Sequence, residues 1–245
     1  MDILSSLEFN EDGRYLAVGD NGGRVILFQQ EEAHTTPQQE MVFDMESESE
    51  SESYKFFSEF QSHEREFDYL NSTEIQERIN CIQWLPSNPD SLFLLSANGR
   101  FCCLRSRLDK TIKLWKVLYK TEGPQAIRTA TSVELQGTLQ GHRRGVWDVA
   151  FSSVEQVLAS CSSDGSVRIW NLATHQCIES YDVSENSLLR CRFVNNSLQV
   201  VTTDSAGILY LVRFKSKTVT QLFQQKGVES VLPPESLQAG AGAGT

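Results

Sequence analysis

A chain of 245 residues with 40% hydrophobic and 22% charged side chains has the length and apolar content for one or two ordinary domains with a core. No run of about 18 apolar residues exists, which excludes a membrane-spanning helix, and residues 1–15 lack the basic-then-apolar order of a secretory signal. The formal charge of -10 is lopsided, since residues 1–80 carry 19 acidic and 5 basic side chains and the remainder 13 and 17. That imbalance disfavours direct nucleic-acid binding and favours basic partners.

Six cysteines are scattered without a C-x-x-C pair, and four histidines give no zinc spacing, so reduced, mostly buried thiols are expected, with no metal and no cofactor. A cytoplasmic chain with access to the nucleus is the expected setting.

Short apolar runs separated by turn residues predict strands at 3–9, 15–19, 24–29 and 54–60. Asn10-Glu11-Asp12-Gly13 and Asp20-Asn21-Gly22-Gly23 supply the first reversals, the second rich in residues that tolerate positive φ. The intervening 31–53 stretch contains an alternating Glu-Ser tract and few apolar groups, which predicts a disordered acidic loop. Ser47 and Ser49 each precede a glutamate by three positions and are candidate phosphosites. A second set of strands is predicted at 79–85, 92–96 and 111–116, interrupted at 99–108 by GRFCCLRSRL. That segment is either an extended apolar loop or an insertion with no folding role, the second being preferred. Residues 118–132, with Gly123-Pro124 as breaker, predict a linker.

Residues 141–171, GHRRGVWDVAFSSVEQVLASCSSDGSVRIWN, form the clearest repeat. They open on Gly-His, close on Trp-Asn, and carry three apolar runs at 146–151, 157–161 and 166–170, with 133–139 expected to add a fourth strand. Asp164 lies six positions before Trp170, the interval that separates Asp109 from Trp115; two segments in one register constitute an internal repeat. His142, Asp164, Trp170 and Ser160 (or Ser162) are expected to satisfy one another inside a blade, because a buried His and Asp are tolerable only when hydrogen-bonded. Runs at 187–193, 198–202, 208–212 and 219–223 predict a degenerate fourth blade with Asp204 but no Trp. Residues 225–245, ending in a Gly-Ala tract, predict a disordered tail. The fold class is therefore all-β, a WD-repeat β-propeller of four repeats, partial or completed by a partner, since propellers span about 4 to 8 blades. The domain division runs 1–117 (two blades), 118–132 (linker), 133–224 (two blades) and 225–245 (tail).

Two resemblances are carried by particular stretches. EFNEDGRYLAVGDNGGRVILFQ, FQSHEREFDYLNSTEIQERIN, FLLSAN and DKTIKLWKV make residues 1–117 resemble the 55 kDa class of regulatory B subunits of serine/threonine protein phosphatase 2A, with Phe67-Asp68-Tyr69-Leu70 as the specific part. The resemblance implies a noncatalytic subunit that binds phosphatase scaffold and catalytic subunits and recruits phosphoprotein substrates with basic flanks to an acidic propeller surface. It places the substrate-facing positions at Asp68, Glu74, Gln76, Glu77 and Arg78, with Gln76 where that family tends to be acidic. The hairpin arm that follows KTIKLWK in that family, and engages the scaffold, is expected to have no counterpart after Val117. Residues 135–214 instead resemble WD repeats of the U3 small-subunit processome, which implies the alternative of a scaffold in ribosomal RNA processing. No nucleophile elbow, Walker loop, H-E-x-x-H or dinucleotide turn is present, so no enzyme is expected.

Overall fold

The structure, a computed structural model, describes residues 3–31, 53–64, 66–68, 73–75, 77–88, 91–98, 110–122, 127–152, 154, 156–194 and 199–224. The expectations for the acidic loop within 31–53, the 99–108 insertion and the 225–245 tail fall largely or wholly outside these residues, as do Asp109, Ser47 and Ser49. The two ends of the acidic loop are described: the Glu31 amide donates to the Ser53 carbonyl at 2.8 Å, so the chain leaves and rejoins blade 1 at one point.

Four antiparallel four-stranded sheets account for nearly all of the described chain. Blade 1 is β1 (Leu4–Phe9), β2 (Tyr15–Asp20), β3 (Arg24–Gln30) and β4 (Tyr54–Gln61). A two-stranded hairpin, β5 (Glu66–Asp68) and β6 (Thr73–Ile75), follows. Blade 2 is β7 (Ile79–Asn88), β8 (Ser91–Asn98), β9 (Ile112–Glu122) and β10 (Ile127–Leu139). Blade 3 is β11 (Val146–Ser152), β12 (Val157–Ser162), β13 (Ser166–Asn171) and β14 (Gln176–Asp182). Blade 4 is β15 (Leu188–Phe193), β16 (Gln199–Asp204), β17 (Ile208–Arg213) and β18 (Thr218–Gln224). The first strand of each blade lies innermost, and β1, β7, β11 and β15 follow one another around the centre.

Two assignments made from the sequence are corrected. Residues 118–132 are not a linker: β9 runs on to Glu122 and β10 begins at Ile127, paired from Ile127 opposite Glu122 to Leu139 opposite Ile112. A hairpin therefore does follow Val117. β8 stops pairing at Ser91 opposite Leu118, so beyond that point β9 and β10 continue as a two-stranded ribbon. The second correction follows from the first. Residues 133–139 belong to blade 2, and blade 3 is completed by Gln176–Asp182, where the alternating QCIESYD places Tyr181 inward and its polar neighbours outward.

Three clusters fill the spaces between blades. Tyr15, Ala17, Val25 and Leu27 of blade 1 meet Ile79, Ile82, Trp84 and Leu94 of blade 2. Leu95, Ala97, Ile112 and Leu114 on the opposite face of blade 2 meet Val146, Val149, Leu158 and Trp170 of blade 3. Ala159, Cys161, Val167 and Ile169 meet Leu188, Cys191, Val200 and Val212 of blade 4. Each interior sheet is thus apolar on both faces, which is why VWDVAF does not alternate. A fully buried Leu, Val or Ile contributes about 1.5–3 kcal/mol, so the joints between blades, more than any single sheet, hold the arc together.

Glycines at the turn between second and third strands fix how one blade hands over to the next. Gly165 has φ of 77° and a β-carbon there would lie 1.8 Å from the Ser184 carbonyl oxygen. Its own carbonyl accepts from the amides of Val183 and Ser184. Gly23, φ 81°, does the same for the amides of Ser62 and His63. Only glycine combines the left-handed backbone with that close approach.

Candidate functional site

Blade 3 contains the network anticipated from its repeat. Trp170 Nε1 donates to Ser160 Oγ at 2.8 Å, Ser160 Oγ lies 2.7 Å from His142 Nε2, and His142 Nδ1 lies 3.1 Å from Asp164 Oδ2. All donors and acceptors balance when His142 is neutral with its proton on Nδ1: Trp170 donates to Ser160, Ser160 to His142, His142 to Asp164. Burial lowers the His142 pKa, with Asp164 pulling the other way. Burial alone would raise Asp164, but bonds from His142, Ser166 and the Arg143 amide hold it well below the usual carboxylate range. Ser162, the alternative to Ser160, instead donates to the Arg144 carbonyl and accepts from the Asp164 amide. The histidine is enclosed by its partners and 6% exposed, a cross-brace and not a general base facing solvent.

Blade 2 repeats the described part of the brace, with Asp109 outside the described residues. Trp115 Nε1 lies 3.1 Å from both Ser96 Oγ and Ser62 Oγ, these two hydroxyls are 2.6 Å apart, and Ser62 Oγ is 3.0 Å from His63 Nδ1. Ser62 and His63, not anticipated, occupy the place of His142; the Trp115–Asp109 interval together with Ser62-His63 upstream was the available signal. In blade 4, Asp204 Oδ2 accepts from Ser184 Oγ at 2.8 Å and Asn186 Nδ2 at 3.3 Å, with the Tyr210 hydroxyl 3.3 Å away in place of a tryptophan.

A second unanticipated residue is Asp148, wholly buried on β11. Its Oδ1 accepts from Cys81 Sγ of blade 2 at 3.1 Å. Its Oδ2 accepts from the Cys191 amide at 3.0 Å and Arg192 Nη1 at 2.8 Å, both of blade 4. One carboxylate therefore links three blades at the centre. Glu8 of blade 1 stands close to this group: burial pushes its carboxyl up, Arg192 draws it back, and Asp148 adds to the rise. An aspartate inside VWDVAF carries no sequence signal that separates a central tie from a tolerated polar residue.

The expected substrate-facing positions separate. Asp68 lies on β5 opposite Thr73, and Glu74 on β6 opposite Phe67, so both belong to the small hairpin between blades 1 and 2. Arg78 is exposed. Gln76 lies outside the described residues. Glu77 is corrected: it is 2% exposed and its Oε2 accepts from Asn98 Nδ2 at 2.5 Å, so it anchors the end of β8 instead of facing solvent. Between blades 1 and 2 a cleft of about 180 Å³ is lined by Glu11 and Asp12 on one side and Trp84, Leu85 and Pro86 on the other, smaller than the ~300–1,000 Å³ of small-molecule sites. Of the described cysteines, Cys81, Cys161 and Cys191 are buried free thiols and Cys177 is partly buried. Among the described residues no group of His, Cys, Asp and Glu is placed to hold a metal ion.

Sheets of this topology around a common centre, one of them braced by a complete Trp-Ser-His-Asp network, define a WD-repeat β-propeller of four blades. In keeping with that, residues 133–171 match the family model described as WD domain, G-beta repeat. More particularly, the chain is 48% identical over 116 residues to the regulatory B subunit of protein phosphatase PP2A from Candida tropicalis, covering 47% of this chain and 18% of that protein. It is 46% identical over 124 residues to the beta isoform of the 55 kDa regulatory B subunit of serine/threonine-protein phosphatase 2A from Sus scrofa, covering 51% of this chain and 24% of that one. The chain thus spans less than a quarter of the length of these curated relatives.

Proposed function

We propose that this chain is a noncatalytic regulatory subunit of a protein phosphatase 2A, which associates with the scaffold and catalytic subunits and recruits phosphoprotein substrates with basic flanks. The observation that carries the reading is the 46–48% identity to regulatory B subunits over about half the chain. Three structural features support it. The His, Ser and Asp groups of blade 3 are spent on bracing one another. The hairpin bearing Asp68 and Glu74 lies in the chain between blades 1 and 2 and supplies two acidic residues for a basic segment, where charge complementarity speeds encounter and selects register. The β9–β10 ribbon begins directly after KTIKLWK, where the resembled family carries its scaffold-engaging arm. The setting in this reading is the cytoplasm, with access to the nucleus.

The test is reconstitution. The full chain is mixed with purified phosphatase scaffold and catalytic subunits and passed over a sizing column beside an authentic B subunit. Co-elution is expected, together with weaker binding of a basic phosphopeptide by Asp68→Lys/Glu74→Lys. Failure to co-elute while the control assembles refutes the proposal, and recovery of U3 particle proteins in a cell-extract capture would replace it.

A further inference from the structure

The cleft of about 180 Å³ between blades 1 and 2 has walls of unlike chemistry, and both belong to an interior joint of the arc. On one wall Trp84 and Leu92, 7% and 2% exposed, stand with Pro86. Trp84 Nε1 donates to the Glu8 carbonyl at 3.0 Å, so what the indole offers the cleft is carbon. The facing wall is the turn between β1 and β2, which is held in shape from within. Asn10 Oδ1 accepts from the Tyr15 amide at 2.8 Å, and the Asn10 carbonyl from the Gly13 amide at 3.1 Å. With that oxygen engaged, Asn10 Nδ2 remains a donor with no acceptor among the described residues. Asp12 is partly occupied, by the Arg14 amide at 3.2 Å and by the Arg14 guanidinium at 3.7 Å. Glu11 is exposed and forms no ion pair among the described residues.

The sequence adds charge at this end of the blade. Residues 31–53 hold eight acids and no lysine or arginine. Their flanks are tied to the same turn, since the Gln30 amide donates to the Arg14 carbonyl and the Tyr54 hydroxyl to the Gly13 carbonyl, both at 2.8 Å. An acidic run rooted beside a cleft with a free carboxylate draws basic partners and repels acidic ones. The hairpin β5–β6 is remote from this end. It follows Ser62 and His63, whose amides bond Gly23, and the six residues of β2 separate that turn from the cleft by about 20 Å.

We propose that the cleft docks an extended segment of a basic partner protein, in which an apolar side chain of leucine size packs against Trp84 and Leu92 and an adjacent lysine or arginine lies on Glu11. Asn10 Nδ2 donates to a main-chain carbonyl of that segment. The space suits one anchoring side chain and not a small-molecule ligand. Because the turn is braced beforehand, little freedom is lost in ordering it. The occupant is distinct from the phosphopeptide assigned to the hairpin, so either can bind without the other.

The probes are the capped tripeptide N-acetyl-Arg-Leu-Arg-amide and its Arg-Gly-Arg and Glu-Leu-Glu counterparts. Each is titrated at millimolar concentration into the isotope-labelled full chain and read by nuclear magnetic resonance at the assigned indole N–H of Trp84. Arg-Leu-Arg is expected to shift that signal saturably while the indoles of Trp115, Trp147 and Trp170 stay in place. Loss of the leucine should weaken binding by about ten-fold or more, as removal of a buried apolar anchor requires, and Glu-Leu-Glu should also bind more weakly than Arg-Leu-Arg. Glu11→Gln, an exposed turn substitution, should weaken Arg-Leu-Arg about three-fold with the rest of the spectrum unchanged. No saturable shift at Trp84, equal affinity for Arg-Leu-Arg and either counterpart, or a Glu11→Gln chain that binds Arg-Leu-Arg as tightly as the parent would each overturn the proposal.

Discussion

Replacing Asp148 by alanine tests whether one central carboxylate ties three blades. The change removes the acceptor of the Cys191 amide and of the Cys81 thiol, both buried. A buried amide left without a partner costs about 1–3 kcal/mol, and the thiol bond adds on the order of 1 kcal/mol. The Arg192 contact adds little, because that guanidinium is 61% exposed and a solvent-screened ion pair is worth about 0–1 kcal/mol. The expected loss is about 3 kcal/mol, or roughly 6–12 °C in Tm for a chain of this size. Asp148→Asn keeps an oxygen for the Cys191 amide and should lose only about 1–1.5 kcal/mol. Thermal and urea denaturation, followed by circular dichroism at one protein concentration, separate the two variants. An alanine variant within 0.5 kcal/mol of the parent, or an asparagine variant no better than alanine, would refute the reasoning.

Further expectations concern turns, protons and thiols. Gly165→Ala should destabilise by about 2–4 kcal/mol, combining left-handed backbone strain with a β-carbon driven onto the Ser184 carbonyl; Gly13→Ala, equally left-handed but with open space around it, should cost about 1 kcal/mol, and equal losses in chemical denaturation would contradict the steric part. His142 and Asp164 both have lowered pKa values in the fold, so the folded chain binds fewer protons than the unfolded one. Their stabilisation is complete above the ordinary histidine value of 6.5 and is lost as pH falls, first through histidine protonation and then, below 3.8, through Asp164. A Tm that declines from pH 7.5 to 5.5, with the slope reduced in His142→Gln, is expected; parallel slopes would remove His142 from the account. Burial raises the Cys81 thiol, and the neighbouring Cys161 thiol together with burial raises Cys191. Among Cys81, Cys161, Cys177 and Cys191, iodoacetamide in native buffer should therefore modify Cys177 first, as read by peptide mass mapping.

The blades were legible in the sequence wherever turn chemistry and apolar runs coincided. Ser163-Asp164-Gly165 and Asp20-Asn21-Gly22-Gly23 both mark real reversals with a glycine at positive φ, and the equal Asp-to-Trp spacing marks the repeat. The errors arose where composition was read without pairing. Residues 118–132 contain Gly-Pro and polar groups and so resembled a linker. Yet Tyr119 and Ala130 join the cluster between blades 1 and 2, which makes the segment a ribbon. Glu77 resembled its exposed neighbours in TEIQER, but whether a carboxylate faces solvent or an Asn98 amide depends on a strand 21 residues away. Asp148 was missed for the same reason, because its partners lie 67 and 43 residues distant in the chain.

The ribbon has a mechanical side. Tyr119 of β9 sits in the same cluster as Tyr15 of blade 1, and Arg128 of β10 reaches the Tyr15 hydroxyl at 3.3 Å while lying 5.2 Å over the Tyr119 ring. A piece of blade 2 is thus laid across the seam, and the first blade cannot peel away without tearing that strap loose. Blades 1 and 2 should open together as one cooperative unit. The seam between blades 3 and 4 has no such strap among the described residues, so under tension or during slow amide exchange it should part before the seam between blades 1 and 2.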